Sequence, residues 1–307
     1  MVILIPHMAT NLTFSIVTPS FRQLEWLRLN SASVLDQVDV SLEHIIQDAG
    51  TGPEFQEWAQ GKPKTQIFIE KDDGMFDAIN RGWRRASGKY VAQLNCDEQY
   101  LPGALARVAR YFVANPQVDV LYGDSIIMDS AGNLRTYWKA VPLHALQVAA
   151  GGISNPTAAI FFRKDLLDQG FYYDPRWRQV GDAEWNRAVL AAGKKTAAPG
   201  ILTSIYAVTG KNLSTTVESA REMAEWEATS PRWVRSLKWP AKAWTAIYRK
   251  LLEPRSRKIP EVAFYRPGQF ERRHCIRQID LSTRWPVDLY SDKPPEALRQ
   301  FSDLQPL

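Results

Sequence analysis

The feature that most narrows the fold is a repeated alternation. Short apolar runs each end in a polar loop, and each loop gives way to a segment of helical spacing. Phe14-Ser15-Ile16-Val17-Thr18 predicts a first strand, broken by Pro19-Ser20-Phe21. Leu24, Leu27, Val34 and Leu35 then recur at roughly helical spacing. Leu42–Gln47 predicts a second strand, ending in Asp48-Ala49-Gly50-Thr51-Gly52, and Pro53 opens a short helix to Gln60. Thr65–Glu70 predicts a third strand, Lys71-Asp72-Asp73-Gly74 a loop, and Met75–Ala86 a helix closed by Ser87-Gly88. Tyr90–Asn95 and Val118–Tyr122 predict two further strands around a helix stopped by Asn115-Pro116. Alternation of this kind predicts right-handed β–α–β units. The class is α/β, with a Rossmann-like, mainly parallel central sheet flanked by helices.

Such sheets bind ligands at the carboxyl ends of their strands. Four of the predicted strands end there in hydroxyl or acid groups: Ser20, then Asp48, then Asp72 and Asp73, then Asp97 and Glu98. The last pair closes Tyr90-Val91-Ala92-Gln93-Leu94-Asn95-Cys96-Asp97-Glu98. Two acids at a sheet rim suit a hard divalent cation, Mg²⁺ or Mn²⁺, shared with a diphosphate. A strand followed by an ordinary polar turn gives the same two letters, so the pair alone leaves both readings open. Neither G-x-G-x-x-G nor G-x-x-x-x-G-K-[ST] occurs, which excludes a phosphate site built on glycine-rich loops.

Beyond Gly123 the pattern changes. Ile126–Trp138 predicts a hairpin turning at Asp129–Asn133, and Asn155–Arg163 a further strand. Asp182 opens a helix that runs to Ala192, where an acid serves either as a cap or as a reactive group. Asp77 and Asn80 share a helix face, either bordering a ligand or favouring the helix start. The four histidines show no ligand spacing. Two cysteines, Cys96 and Cys275, form no disulfide framework and fit a reducing, cytoplasmic compartment. No apolar run is long enough to cross a bilayer, and either Met1 or Met8 suits a start.

Together these stretches resemble the family-2 glycosyltransferases, inverting enzymes of the GT-A fold. Phe14–Phe21 is similar to the family's first strand and nucleotide loop. Glu70-Lys71-Asp72-Asp73-Gly74-Met75-Phe76-Asp77-Ala78-Ile79-Asn80-Arg81-Gly82 is similar to the stretch before its metal strand. Gly88–Glu98 resembles the strand ending in a D-x-D-type motif. Ala159–Lys164 and Gly181-Asp182-Ala183-Glu184-Trp185 resemble the acceptor-side strand and the helix that carries the base. The resemblance spans Phe14–Ser214. It implies that Pro19, Ser20 and Asp48 contact the base and ribose of a nucleotide-diphospho-sugar, with Asp72 joining them from the third loop. It further implies that Asp97, with Glu98, holds the divalent cation and that Asp182 is the general base. Asn95 stands among the donor-binding residues where the first acid of the motif often stands. Asn155-Pro156 stands where many relatives carry His. A catalytically degenerate binding or scaffold protein of the same fold is the alternative that Asn95 and Asn155 motivate. A sugar-nucleotide pyrophosphorylase would want a glycine-rich first loop, which Thr18-Pro19-Ser20-Phe21 lacks.

The expected division is a catalytic domain at 12–215 and a basic, tryptophan-rich, helical and irregular extension at 216–307. Within the extension, residues 232–252 interleave tryptophan with Arg and Lys. That pattern suits either a packed helix with a solvated face or a helix lying on an anionic membrane. Pro240 predicts two short helices there. A glycan or lipid-linked glycan acceptor, as in cell-surface polysaccharide synthesis, would accord with a peripheral place on the inner face of the plasma membrane. No nucleic-acid fold signature accompanies the basic residues. Glu261–Leu307, rich in Pro and Arg, is expected to form an irregular cap over the acceptor side.

Overall fold

The computed structural model describes residues 2–3, 13–62, 64–151, 155–209, 217–252 and 255–284. Met1, Met8, the 215/216 division and the expected cap beyond 284 lie outside these residues. In chain order come β1 (Val2–Ile3), β2 (Phe14–Ser20), α1 (Leu24–Leu35), β3 (Leu42–Asp48), α2 (Pro53–Gln60), β4 (Thr65–Ile69), α3 (Met75–Arg85) and β5 (Tyr90–Gln93). The middle of the chain gives β6 (Glu98–Tyr100), α4 (Ala104–Ala114), β7 (Val120–Tyr122), β8 (Asp124–Asp129), β9 (Leu134–Trp138), α5 (Ala145–Gly151), β10 (Ile160–Arg163), α6 (Asp165–Asp168), α7 (Gly181–Ala191), β11 (Thr196–Ala197) and β12 (Leu202–Val208). Last come α8 (Val217–Ala228), α9 (Arg232–Ser236), α10 (Lys238–Leu252), β13 (Ser256–Arg266) and β14 (Gln269–Ser282).

The first sheet runs β1-β4-β3-β2-β5-β10-β7-β11. Its centre, β4 to β5, is parallel, as the alternating pattern predicts. Strand β2 is buried along its whole length, its hydroxyl residues Ser15, Thr18 and Ser20 included. Helix α3 lies close against it because Gly82 has no side chain: a Cβ there would stand 2.3 Å from a methyl of Val17. Strand β10 is wedged between β5 and β7, antiparallel to both. Phe161 and Phe162 explain the insertion. One meets Phe14 and Tyr100, the other Trp83 and Trp185, so both faces of β10 are buried. The strand read at Asn155–Arg163 is accordingly shorter, with Thr157–Ala159 as a 3-10 turn after Pro156.

A second sheet, absent from the expected architecture, runs β13-β14-β9-β8-β12-β6. Glu98 opens β6, so the chain leaves the first sheet at Gln93 and enters the second at Glu98. Asn95-Cys96-Asp97 is the link between the two sheets.

The extension corrects another expectation. Residues 256–282 form a long hairpin rather than an irregular cap. One face carries Ile259, Val262, Phe264, Ile279 and Leu281 into a core with Ile126, Met128 and Ile205. The basic residues that disguise this pattern line the other face or the ends. The hairpin is fastened at both donor and acceptor of Gln99, whose side chain bonds Tyr265 O at 2.9 Å and Tyr265 N at 2.7 Å. Arg273 adds bonds to Asp36 at 2.6 and 2.7 Å and to Tyr100 O at 2.9 Å. Two helices do form at 232–252, but they part at Leu237, not at Pro240. Pro240 falls in the first turn of α10, where its missing N–H costs nothing.

Candidate active site at the junction of the two sheets

The rim begins where β2 and β3 end in register, Ser20 beside Asp48. Ser20 Oγ donates to Asp48 Oδ1 at 2.9 Å, and Thr51 Oγ1 donates to the same oxygen at 2.6 Å. Gly50 N–H and Thr51 N–H donate to Oδ2 at 2.9 and 2.8 Å. Four donors use the four acceptor positions of a carboxylate. Asp48 is fully buried and folds its own loop, which turns through positive φ at Gly50 and Gly52. It shapes the rim instead of presenting a bare carboxylate.

The link between the sheets is held from beneath. Asn30 Nδ2 donates to Leu94 O at 3.2 Å and Asn95 O at 2.8 Å, while Thr18 Oγ1 donates to Asn30 Oδ1 at 3.2 Å. The same Thr18 hydroxyl meets Nε2 of His44, whose burial lowers its pKa to about 3 and keeps it neutral. Cys96 Sγ donates to Pro19 O at 3.0 Å, fastening the link to the end of β2. Sequence reading found neither Asn30 nor Cys96 in these roles, because each acts across more than sixty residues of chain.

Glu98, expected beside Asp97 on the metal, turns inward and is 1 % exposed. Its Oε2 accepts Asn95 N–H at 2.7 Å, and its Oε1 lies 3.5 Å from Thr157 Oγ1. It braces the link. Asp97 keeps part of its surface open. Burial raises the pKa of both carboxyls, and the charge of Asp97 raises Glu98 further. Among the described residues no group of three or more His, Cys, Asp or Glu could cage a metal. A cation here would lean on one carboxylate, water and ligand oxygens, as Mg²⁺ and Mn²⁺ sites for phosphates commonly do. Asn95 Oδ1, buried and without a hydrogen-bond partner, leaves a further oxygen for such a ligand set.

Asp182 lies in the first turn of α7, one residue inside its start; the N-cap is Val180. Gly181 lets that turn approach α3, since a Cβ there would stand 2.7 Å from the Phe76 ring. Asp182 Oδ1 accepts Ala183 N–H at 2.8 Å, and burial pushes its pKa up to about 6 although one edge stays open. Tyr173 joins the two halves of the site. The charges of Asp182 and Glu98 both act on its phenol, raising its pKa further after burial. Its hydroxyl donates to Gln93 Oε1. Asn80 fixes its backbone, donating to Tyr173 O at 2.8 Å and accepting Tyr173 N–H at 2.9 Å. That contact decides the open reading of Asn80 as a clamp. Asp77 serves the helix start, accepting Asp73 N–H at 3.1 Å and pairing with Arg81 at 2.8 Å.

Asp72 accepts Gly74 N–H at 3.0 Å. Burial raises its pKa, and the charges of Asp77 and Asp48 raise it further. Asn155 is buried and bonds both N–H and C=O of Val141, at 3.0 and 2.9 Å.

Helix α8 completes the setting of Asp182. Glu222 accepts the N–H groups of Arg178, Gln179 and Val180 at 3.1, 2.6 and 3.0 Å, holding the turn that leads into α7. Trp226, fully buried, donates to Glu184 at 2.7 Å.

This geometry belongs to a glycosyltransferase fold. Residues 15–167 match the model of Glycosyl transferase family 2, and this stretch of the chain belongs to that family. An uncharacterized glycosyltransferase of Nostoc sp. is 26% identical over 184 residues, covering 55% of this chain and 56% of the relative. The chain thus spans little more than half the length of that protein. A PGL/p-HBAD biosynthesis glycosyltransferase of Mycobacterium bovis is 29% identical over 180 residues, 56% of this chain and 68% of that one. Among solved structures, the mannosyltransferase of Pyrobaculum calidifontis in complex with GDP-Man and Mn²⁺ aligns with a TM-score of 0.50. It is 15% identical and covers 78% of this chain and 76% of its own. S. aureus TarS 1-349 in complex with UDP also gives 0.50, at 14% identity, covering 79% and 73%. At these identities the two structures establish the fold: mixed α/β with two sheets flanked by helices.

Proposed function

We propose that the chain moves a sugar from a nucleotide-diphospho-sugar to an acceptor hydroxyl with inversion at the anomeric carbon. The observation that carries this reading is that Tyr173, whose hydroxyl bonds Gln93 at the end of β5 and whose ring lies 4.5 Å from that of Phe76, the ring against which Gly181 packs, sets the start of α7 beside the end of β5. A base and a partly open carboxylate at the sheet rim therefore border a single site. With a pKa of about 6, Asp182 is ionised at neutral pH yet basic enough to accept a proton. It takes the proton of the acceptor hydroxyl as that oxygen bonds to the anomeric carbon. The bond from that carbon to the diphosphate oxygen breaks, and its electron pair leaves with the nucleoside diphosphate. A divalent cation, Mn²⁺ or Mg²⁺, would supply Lewis-acid stabilisation of that leaving group.

Asp97 is the residue assigned to hold the cation, with Asn95 near it and Glu98 bracing both. Pro19, Ser20 and Asp72 line the nucleotide side, and Asp48 acts through the loop it folds. Mn²⁺ with GDP-Man in the archaeal structure and UDP in TarS support a donor of this class. The acceptor proposed is a glycan or lipid-linked glycan of cell-surface polysaccharide, met on the inner face of the plasma membrane. The names of relatives in PGL/p-HBAD and O-antigen biosynthesis support it. Asn155, a motive for the degenerate reading, has a structural task in the Val141 clamp, which weakens that motive.

The test is donor turnover with UDP-, GDP-, dTDP- and CMP-sugars, in Mn²⁺, Mg²⁺ or EDTA, with the anomeric configuration of the product read by NMR. Metal-dependent release of nucleotide and an inverted product are expected. A retained configuration, or no turnover of any donor that binds, would overturn the proposal.

A further inference from the structure

We infer that α9 and α10 form a docking surface for an anionic phospholipid bilayer. At 100° per residue, Trp239, Pro240, Ala243, Trp244, Ile247 and Leu251 fall within an arc of about 140° on α10, with Lys250 the one charged residue whose position falls among them. All six are exposed. Trp239 is 75 % exposed, Trp244 63 %, Ile247 50 % and Leu251 79 %, and Trp233 on α9 adds another 63 %. An isolated exposed apolar side chain is ordinary, but a contiguous arc of this kind marks an interaction surface. Among the described residues nothing covers it, and α10 is held against α5. Val234 is buried beneath α9, and Lys238 ties the start of α10 to Glu227 at 2.6 Å.

Charge selects the occupant. Between Glu227 and Glu253 the chain has six Arg or Lys and no acid. Lys242 is exposed beside the arc, over the ring of Trp239 at 5.7 Å, and Arg232 and Arg235 are exposed on α9. Tryptophan prefers the headgroup level of a bilayer, and neighbouring cations gain from anionic headgroups. A second copy of the chain would instead set cations against cations. No helix among the described residues is long and apolar enough to span a membrane, so the contact is one of lying on the surface.

The surface is linked to the site through packed helices. Helix α10 rests on α5, and α5 rests on α7, whose first turn carries Asp182. Docking would therefore hold the base helix at a fixed height over the bilayer, where a lipid-linked acceptor presents its hydroxyl. This consequence rests on the sugar-transfer reading; the lipid contact does not.

The test is flotation of the full chain with vesicles of phosphatidylcholine alone or mixed with phosphatidylglycerol, with no donor present. The chain should float only with the anionic vesicles, and raised salt should release it. The variant W239S/W244S changes two exposed side chains and should keep the wild-type melting temperature and donor affinity. Its partition should fall about tenfold per tryptophan. Replacing Arg232 and Arg235 by Gln should cost about fivefold each. A full chain that stays with the soluble fraction, or a tryptophan variant that floats equally well, would overturn the inference. A dimer in sedimentation that W239S/W244S dissolves would also overturn it, assigning the arc to a second copy. A chain that binds vesicles but turns over no donor would leave the docking surface standing and remove the transfer reading alone.

Discussion

Replacing Asp182 by Asn separates a catalytic carboxylate from a helix cap by two effects of opposite sign. Asn is nearly isosteric and can still accept the 2.8 Å bond from Ala183 N–H, so the turn at Gly181 should persist. Burial lifts the pKa of Asp182 from 3.8 to about 6. A raised carboxyl pKa means that the fold favours the protonated form. That stabilisation is complete below the unfolded value and is lost as pH rises through about 6. At neutral pH the wild type therefore carries an ion that its fold disfavours. A shift of about two pH units corresponds to about 3 kcal/mol, reduced by water at the open edge to about 1–3 kcal/mol. Asp182→Asn should be more stable than wild type by that amount at pH 7 and equal to it near pH 3.5, measured by urea denaturation. Turnover should fall by about 10²–10⁴. The wild-type pH profile of kcat/KM should lose about tenfold per unit below pH 6, and the variant should lack that limb. If Asp182 only helped to hold the helix start, Asn would leave kcat normal and Ala would cost about 0.5–2 kcal/mol. A variant with unchanged stability and normal kcat would refute the reasoning.

Other contacts give further expectations. Glu222→Ala strips the acceptor from the three N–H groups ahead of Asp182. It should cost about 1–3 kcal/mol in chemical denaturation and lower kcat while leaving donor affinity unchanged by calorimetry. The carboxyls of Asp97 and Glu98 are both raised by burial, so the stability they contribute is present in acid and lost as pH rises. Without metal the melting temperature should decline between about pH 5 and about pH 8, and Mn²⁺ should flatten that decline by favouring the ionised form. Arg273→Ala removes the bridge from the hairpin to Asp36 and Tyr100. Bonds to a charged group are worth about 1.5–3 kcal/mol, and hydrogen exchange at β13 and β14 should rise accordingly.

Strands β2 to β5 were legible because parallel strands buried on both faces read as apolar runs, and their ends are marked by Pro19, Gly50 and Gly74. The places of Asp97 after β5 and of Asp182 in the first turn of α7 were legible too, since each follows a recognisable boundary. The second sheet was not. Strand β6 is three residues long and begins with a buried acid, so no periodicity reveals it. The hairpin β13–β14 hides an inward face behind arginines on the outward one. Tyr173, Asn30, Cys96 and Glu222 act across tens of residues, and a one-dimensional pattern has no means of pairing them. Asp48 and Glu98 show the converse. Their residue types pointed to ligand contact, but local N–H and hydroxyl donors claim their oxygens.

The measurement that bears most directly on the whole account is isothermal calorimetry of UDP- and GDP-sugars, with Mn²⁺ or with EDTA, on the wild type and on Asp97→Ala. The account predicts saturable binding of one donor class with Mn²⁺, at least tenfold weaker in EDTA, and the same loss for Asp97→Ala in the presence of the metal. Donor binding that ignores both EDTA and the loss of Asp97 would contradict it.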